Sequence, residues 1–498
     1  MPNEEISSRR TLRAVFLIAG AALYRPLVFW AENAWDLANP EQVFLIPGMA
    51  LVIGILLFRI LTSAGLPVLP TAFTLAGVLL VLFQFHSLPW LSGGLWLAVV
   101  LGLGALAHSA SPKSLDRMAT IALAILILAP VLQVAIQHVT HRHSYPLTSL
   151  ADPVPAKLTG AVEDVLVVVV DSYPMLTVAE DWFGHNPSPL VRSLLKAGFE
   201  VENVAWSHNT YTGLAVPSIL QLEQVADASP KGAWGNRRTS YDITGGNNFV
   251  ARSLQNAGFS HTHIESGWDG GACKQADMCL RATWLDEATW NLLRPSALGS
   301  LLESRYGSME VPNTIRAVDH ITGLAVFGDG RHDFVYAHLM LPHPPYVVDE
   351  SCQVLPPTTR AHSGELARLL GQLTCVDSLL MRIAAKVKDT TAVLIAGDHG
   401  TAMRGQINAT PSDWSDSDIA ERLGVLLAYK LPDGCPGPSS PTNLYAMRAI
   451  MECAVDVNLP SDPSGFLLGA NQPVWVEADR VAAISRLLET GALAGLAK

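Results

Sequence analysis

Charge is scarce in this chain. Of its 498 residues only 15% are Asp, Glu, Lys or Arg, against about 25% in ordinary globular proteins. A basic excess is missing too: 33 Lys+Arg face 44 Asp+Glu, for a net charge of −11. That argues against a nucleic-acid partner, which needs a basic face. Cysteine is absent from the first 272 residues, and none of the six that follow forms a Cys-x-x-Cys pair. That spacing argues against a zinc site built on cysteine. No internal repeat and no long low-complexity segment is present, and 49% of the residues are apolar. A mostly disordered chain is thereby excluded.

What is present is uneven. Residues 1–144 hold eight Lys+Arg and six Asp+Glu, whereas residues 145–498 hold 25 and 38. The first part carries five apolar stretches, about 11–31, 42–63, 66–86, 90–108 and 117–138. Each is near the roughly 20 residues that a helix needs to cross about 30 Å of hydrocarbon. The first ends in Phe29-Trp30-Ala31-Glu32-Asn33 with no small-residue cleavage pattern, so it does not read as a signal peptide. Arg9, Arg10 and Arg13 precede the first stretch, Arg59 lies near the inner end of the second, and Lys113 and Arg117 sit between the fourth and fifth. Basic residues stay on the cytoplasmic side, so an inside N-terminus and an outside residue 145 are expected. Arg25, inside the first stretch, reads as a functional group or as a side chain snorkelling to the interface.

The cysteines agree with that orientation. Cys273, Cys279, Cys352, Cys375, Cys435 and Cys453 all fall in the part expected outside. An even number there suggests disulfides in an oxidising compartment, with neighbour pairing as the simplest of fifteen connectivities.

The expected organisation is a transmembrane domain over 1–140, a polar linker over 141–163 and a second domain over 164–498. In the last, Val165 to Val170 is a continuous β-branched run, as in a strand buried on both faces. Further strands are expected at 199–204, 262–265, 334–340, 391–396 and 425–429, with helices at 187–198, 248–258, 362–387 and 441–454. Strands alternating with helices predict an α/β fold with a mostly parallel central sheet. Ligands in such folds gather at the carboxyl ends of strands. Asp171 ends one strand, and Asp398-His399-Gly400 ends another. Asp and His suit Zn or Mn, and the glycine permits a tight turn. His338 lies on a strand and His343 in the Pro-rich turn after it. The segment 207–218 is a polar loop running into an apolar helix start. It reads either as a capping segment or as a hydroxyl nucleophile at a helix N-terminus, where a phosphate is favoured.

The order Asp171, Thr212-x4-Pro217-Ser218, His338-x4-His343-x-Pro345-Tyr346, Asp398-His399-Gly400 resembles the alkaline phosphatase superfamily in its sulfatase-like branch. The stretch 186–203 is similar to another segment of that branch, and the resemblance covers about 164–456. Five spans followed by such a domain resemble the lipid A phosphoethanolamine transferases, lipoteichoic acid synthase and the phosphoglycerol transferases of periplasmic glucans. The resemblance implies a multi-pass protein of a bacterial inner membrane with a periplasmic catalytic domain. It implies one divalent ion (Zn or Mn, with Mg or Ca as alternatives) on Asp171, Thr212, Asp398 and His399. Thr212 becomes the nucleophile, with Thr210 as the neighbouring alternative, and His343 and His338 serve the phosphoryl oxygens or the leaving group. Asn209 and Arg404 are candidate substrate binders. The donor implied is a membrane phospholipid and the acceptor an envelope glycan or glycolipid; the alternative is an ester hydrolase with water as acceptor. Two departures stand out. Ala215 occupies the position where sulfatases carry the residue converted to formylglycine. No histidine follows His399, which favours one metal over two.

Overall fold

The computed structural model describes residues 2–33, 42–84, 109–140, 156–225, 237–267, 273, 275–281, 287–294, 296–324, 331–463, 465–469 and 474–493. The chain divides into two compact units, one of 1–144 with 285–305 and one of 145–284 with 306–498.

The first unit is helical. Its helices are Pro2–Asn33, Leu45–Ser63, Val68–Gln84 and Pro112–Thr140. Among the described residues three spans are long and apolar enough to cross a membrane: Ser8–Trp30, Leu45–Ser63 and Lys113–Gln133. The apolar helix Val68–Leu80 is shorter, and the expected stretch 90–108 lies outside the described residues. Five crossings were expected from the sequence, and three meet the length here. Ala14, Leu17, Ile18, Ala21 and Ala22 of the first helix are buried among its neighbours. The opposite pattern holds outside: Ile60, Leu128 and Leu132 are each more than 60% exposed. An apolar outer surface on helices is what hydrocarbon requires. Arg10 and Arg13 each meet Asp116 at 3.2 Å, which brings two helix starts to one end. The helices Glu287–Leu293 and Ala297–Tyr306 leave the second part of the sequence to join this unit. Ala288 and Leu292 pack there on Val43, flanked by Phe29, Trp30 and Phe44.

The second unit is built on one seven-stranded sheet. Its strands are β2 (Asp164–Val170), β3 (Glu200–Glu202), β4 (Ser260–Glu265), β5 (Met278–Arg281), β6 (Asp333–Leu339), β7 (Thr391–Gly397) and β8 (Leu427–Lys430). Their order is β3-β8-β7-β2-β6-β4-β5. The five strands from β7 to β5 pair parallel, and β8 runs against both its neighbours. Successive side chains of a strand face opposite ways, and β2 divides accordingly. Leu166, Val168 and Val170 enter one apolar core, and Val165, Val167 and Val169 enter the other. A strand covered on both faces must be apolar throughout, which is why this run was conspicuous in the sequence. Short ladders complete the unit: β1 (Lys157–Leu158) with β9 (Val455–Asp456), and β10 (Phe466–Leu468) with β11 (Val474–Val476).

The six cysteines pair as neighbours: Cys273–Cys279, Cys352–Cys375 and Cys435–Cys453. Their Cα separations of 5.9, 5.0 and 5.3 Å lie within the range of a disulfide.

Candidate active site

Strand register brings the site together. Val170, the last residue of β2, stands opposite Leu339 of β6 and Gly397 of β7. Asp171 and Asp398 therefore emerge side by side at the carboxyl ends of adjacent parallel strands. Both are buried. Ser172 turns the chain there with φ of 61°, a conformation that costs a residue with a Cβ about 1 kcal/mol or more. Its own bonds hold it. The Ser172 N–H donates to Asp398 Oδ1 at 3.0 Å, and its hydroxyl donates to Asp171 Oδ1 at 3.0 Å. The His399 N–H also donates to Asp398 Oδ1, at 2.8 Å. Asp398 Oδ2 is buried with no hydrogen-bond partner.

The loop after β7 orients His399. Its Nδ1 lies 3.0 Å from the Gly400 carbonyl. A carbonyl only accepts, so this contact puts the proton on Nδ1 and leaves the Nε2 lone pair facing inward. Nε2 lies 3.4 Å from Asp398 Oδ2, 3.8 Å from Asp171 Oδ1 and 3.1 Å from Thr212 Oγ1. Gly400 is required by close approach: a Cβ there would meet the carbonyl oxygens of Glu421 and Gly424. Glu421 fastens the same loop, accepting from Thr401 Oγ1 at 2.7 Å, from the Met403 N–H, and from the Arg404 N–H at 3.1 Å.

Thr212 is the first residue of the helix Thr212–Gln221, after an extended Tyr211. The first N–H groups of a helix have no intrahelical partner, so the hydroxyl sits at an anion-favouring end. Thr210 faces elsewhere, its Oγ1 accepting from the Gly469 N–H at 2.9 Å.

His338 lies opposite Val169, with Nε2 3.7 Å from Asp171 Oδ2. Burial lowers its pKa to about 4, against an opposing pull from Asp398. His343 is held by its turn: Gln372 Nε2 donates to the Pro342 and His343 carbonyls, each at 3.1 Å. Its pKa is lowered by burial and then by the charge of Arg422. Burial also drives His399 well below the usual histidine range. Asn209 and Arg404 bond elsewhere. The Asn209 amide meets Ser218 Oγ at 3.1 Å and Gln224 at 2.9 Å inside its own loop. Arg404 pairs with Asp418 at 2.9 Å.

Arg422, which the sequence reading passed over, enters the site instead. Its Nε donates to the Thr210 carbonyl at 2.9 Å and its Nη1 to the Gly400 carbonyl at 2.8 Å. Its Nη2 lies 3.4 Å from His399 Nε2, and the guanidinium sits 5.4 Å from the Tyr211 ring centroid. The signal available was a pair of charged residues, Glu421 and Arg422, in the otherwise apolar segment Ile419-Ala420-Glu421-Arg422-Leu423, and both are buried.

The residues fit a divalent cation. One ligand atom each from Asp171, Asp398 and His399 lie within 4.8 Å of one another. Two buried carboxylates side by side repel unless a cation lies between them. The unpartnered Asp398 Oδ2 and the inward Nε2 of His399 are the donors such an ion takes, and the oxygen–nitrogen set suits Zn or Mn.

No family model matches the chain, and no curated protein matches its sequence. Solved structures do resemble it. The integral membrane lipooligosaccharide phosphoethanolamine transferase A of Neisseria meningitidis is 12% identical with a TM-score of 0.42, over 88% of this chain and 95% of that one. The C-terminal periplasmic domain of EcEptC from Escherichia coli, in complex with Zn, is 10% identical with a TM-score of 0.42, over 62% and 87%. The lipoteichoic acid synthase LtaP of Listeria monocytogenes is 11% identical with a TM-score of 0.40, over 67% and 92%. Identities this low leave the chemistry to be read from the chain's own residues.

Proposed function

We propose that the second unit is a metal-dependent transferase that moves a phospho-alcohol group, phosphoethanolamine or phosphoglycerol, from a membrane phospholipid to an envelope glycan or glycolipid. The observation that carries the reading is a hydroxyl at a helix N-terminus, 3.1 Å from a histidine nitrogen that also faces two buried carboxylates. The motif order, with its resemblance to the sulfatase-like branch, supports it independently. The apolar helices of the first unit favour a lipid donor, since an anchored site reaches a head group without extracting the lipid. The ion pairs of Arg10 and Arg13 with Asp116 place two helix starts at one end, an arrangement compatible with the five-span reading.

Asp171, Asp398, His399 and Thr212 would hold the ion, which supplies positive charge that lowers the hydroxyl pKa and offsets charge on phosphoryl oxygens. In the first half-reaction Thr212 Oγ1 forms a bond to phosphorus as the bond to the lipid glycerol oxygen breaks. Thr212 gives up its proton, the leaving oxygen gains one, and diacylglycerol departs. In the second, an acceptor hydroxyl attacks phospho-Thr212, loses its proton, and restores the threonine. His338 and His343, both depressed in pKa, are neutral near pH 7 and offer N–H donors to the phosphoryl and leaving oxygens.

The test is peptide mass spectrometry of the Thr212 segment after the metal-loaded full chain has met phospholipid vesicles. A phosphoethanolamine or phosphoglycerol adduct on Thr212 is expected, absent from Thr212→Ala. An unmodified Thr212, with lipid turnover indifferent to Thr212→Ala, overturns the reading.

A further inference from the structure

Resting on that reading, we infer that Arg422 is a further substrate-binding residue, a fixed guanidinium donor to the phosphoryl oxygens of the group that Thr212 attacks. Arg422 is buried, and a buried cation is costly unless paired. Asp398, Asp171 and Glu421 favour its charge from a distance, but no carboxylate among its hydrogen-bond partners takes up the guanidinium directly. Its bonded partners are two neutral carbonyls, of Thr210 and Gly400, and one histidine nitrogen. The two carbonyls fix the plane of the fork. They belong to the segments that carry Thr212 and His399, so the guanidinium is indexed to the nucleophile and to the metal-ligating loop at once.

The uncommitted part of the fork is Nη2. It lies 3.4 Å from His399 Nε2, the atom that Thr212 Oγ1 also approaches at 3.1 Å. Two donors thus share one lone pair. A cation held by Nε2 would take that lone pair from both. The hydroxyl oxygen and the Nη2 N–H groups, both beside that one atom, would then be released to act as nucleophile and as anion donor. Guanidinium–phosphate bonds are charge-assisted and directional, and preorganised donors of this kind act where phosphoryl charge develops. The guanidinium carbon lies over the Tyr211 ring, 5.4 Å from its centroid, a cation–π contact that leaves the N–H donors of the fork available.

The probe is inorganic phosphate, titrated calorimetrically into the zinc-loaded full chain in detergent, with zinc per chain measured in each sample. Arg422→Gln is expected to weaken phosphate binding at least tenfold with zinc content unchanged. Arg422→Lys, which keeps the charge and loses the fork, is expected to fall between. Phosphate affinity within twofold of the parent in zinc-loaded Arg422→Gln, or a parent that binds no phosphate, overturns the inference and leaves Arg422 a strut between two loops. If Arg422→Gln does not fold, Arg422→Lys decides: a loss of threefold or more supports the inference, and affinity within twofold overturns it. Thr212→Ala separates this from the transferase reading. It is expected to keep Arg422-dependent phosphate binding while losing the covalent adduct. Phosphate binding that depends on Arg422 in a chain that never labels Thr212 would sink the transferase and leave the Arg422 assignment standing.

Discussion

Three buried histidines whose burial outweighs every opposing influence, that of Asp277 on His261 included, should make this protein acid-labile, in a window that the structure sets. Burial lowers His208 to about 4, His261 to about 4 and His263 to about 3, from an ordinary 6.5. His263 is depressed further by His261 and His338. All three are neutral when folded, and each becomes charged below pH 6.5 only in the unfolded chain. The unfolded state then binds more protons, so stability is full above pH 6.5 and falls as pH drops from 6.5 toward about 4. At pH 5 each histidine costs about 2 kcal/mol, from 1.5 pH units at 1.36 kcal/mol per unit. Three together cost about 6 kcal/mol, which rivals the whole stability of a typical domain. His261→Phe isolates one term. Both ring nitrogens of His261 lack hydrogen-bond partners, and the ring already stacks on Phe334 at 4.8 Å. Guanidinium unfolding of the full chain, followed by tryptophan fluorescence, would be compared at pH 7.5 and 5.0. Any packing change of the larger ring is common to both pH values and cancels. The substitution should remove about 2 kcal/mol of the pH difference. An unchanged difference would refute the claim that this histidine is held neutral by burial.

Other consequences are checked more briefly. Asp398→Asn removes the buried, unpartnered Oδ2 and should weaken zinc binding by roughly a hundredfold or more, above what outer-sphere changes cost, as read by competition with a chelating dye. Gly400→Ala forces a Cβ against two backbone oxygens that cannot retreat and should cost about 3 kcal/mol or more; thermal unfolding together with zinc content would report it. Opening the Cys352–Cys375 bridge, which spans 23 residues, by Cys352→Ser with Cys375→Ala should cost about 3 kcal/mol, measured as a shift in denaturant midpoint.

Much of the second unit was legible because its chemistry is linear. The run from Val165 to Val170 had to be a doubly buried strand, and a carboxylate directly after it had to lie at the strand's carboxyl end. The same logic located Asp398 and His399. The long helix expected over 362–387 is instead Pro357–His362 and Glu365–Ala384, divided at Ser363 and Gly364, where the chain turns extended. Arg422 was not legible. A helix of eight residues shows little periodicity, and nothing in the sequence says that position 422 points at position 399. Arg404, closer to His399 along the chain, was the natural guess. The join of 285–305 to the first unit was equally hidden, since it rests on Ala288 and Leu292 meeting Val43 across more than 240 positions.

The bond from the Ser172 N–H to Asp398 Oδ1 joins residues 226 positions apart. During synthesis from the N-terminus, Asp171 and Thr212 therefore wait through most of the domain before their partners exist. Loop closure on that scale is slow, and a metal site that needs it has no half-formed version able to bind. An ion taken by Asp171, Asp398 and His399 could enter only once β2 and β7 have paired. A metal bound at this site would then report the ions present where the chain finished folding.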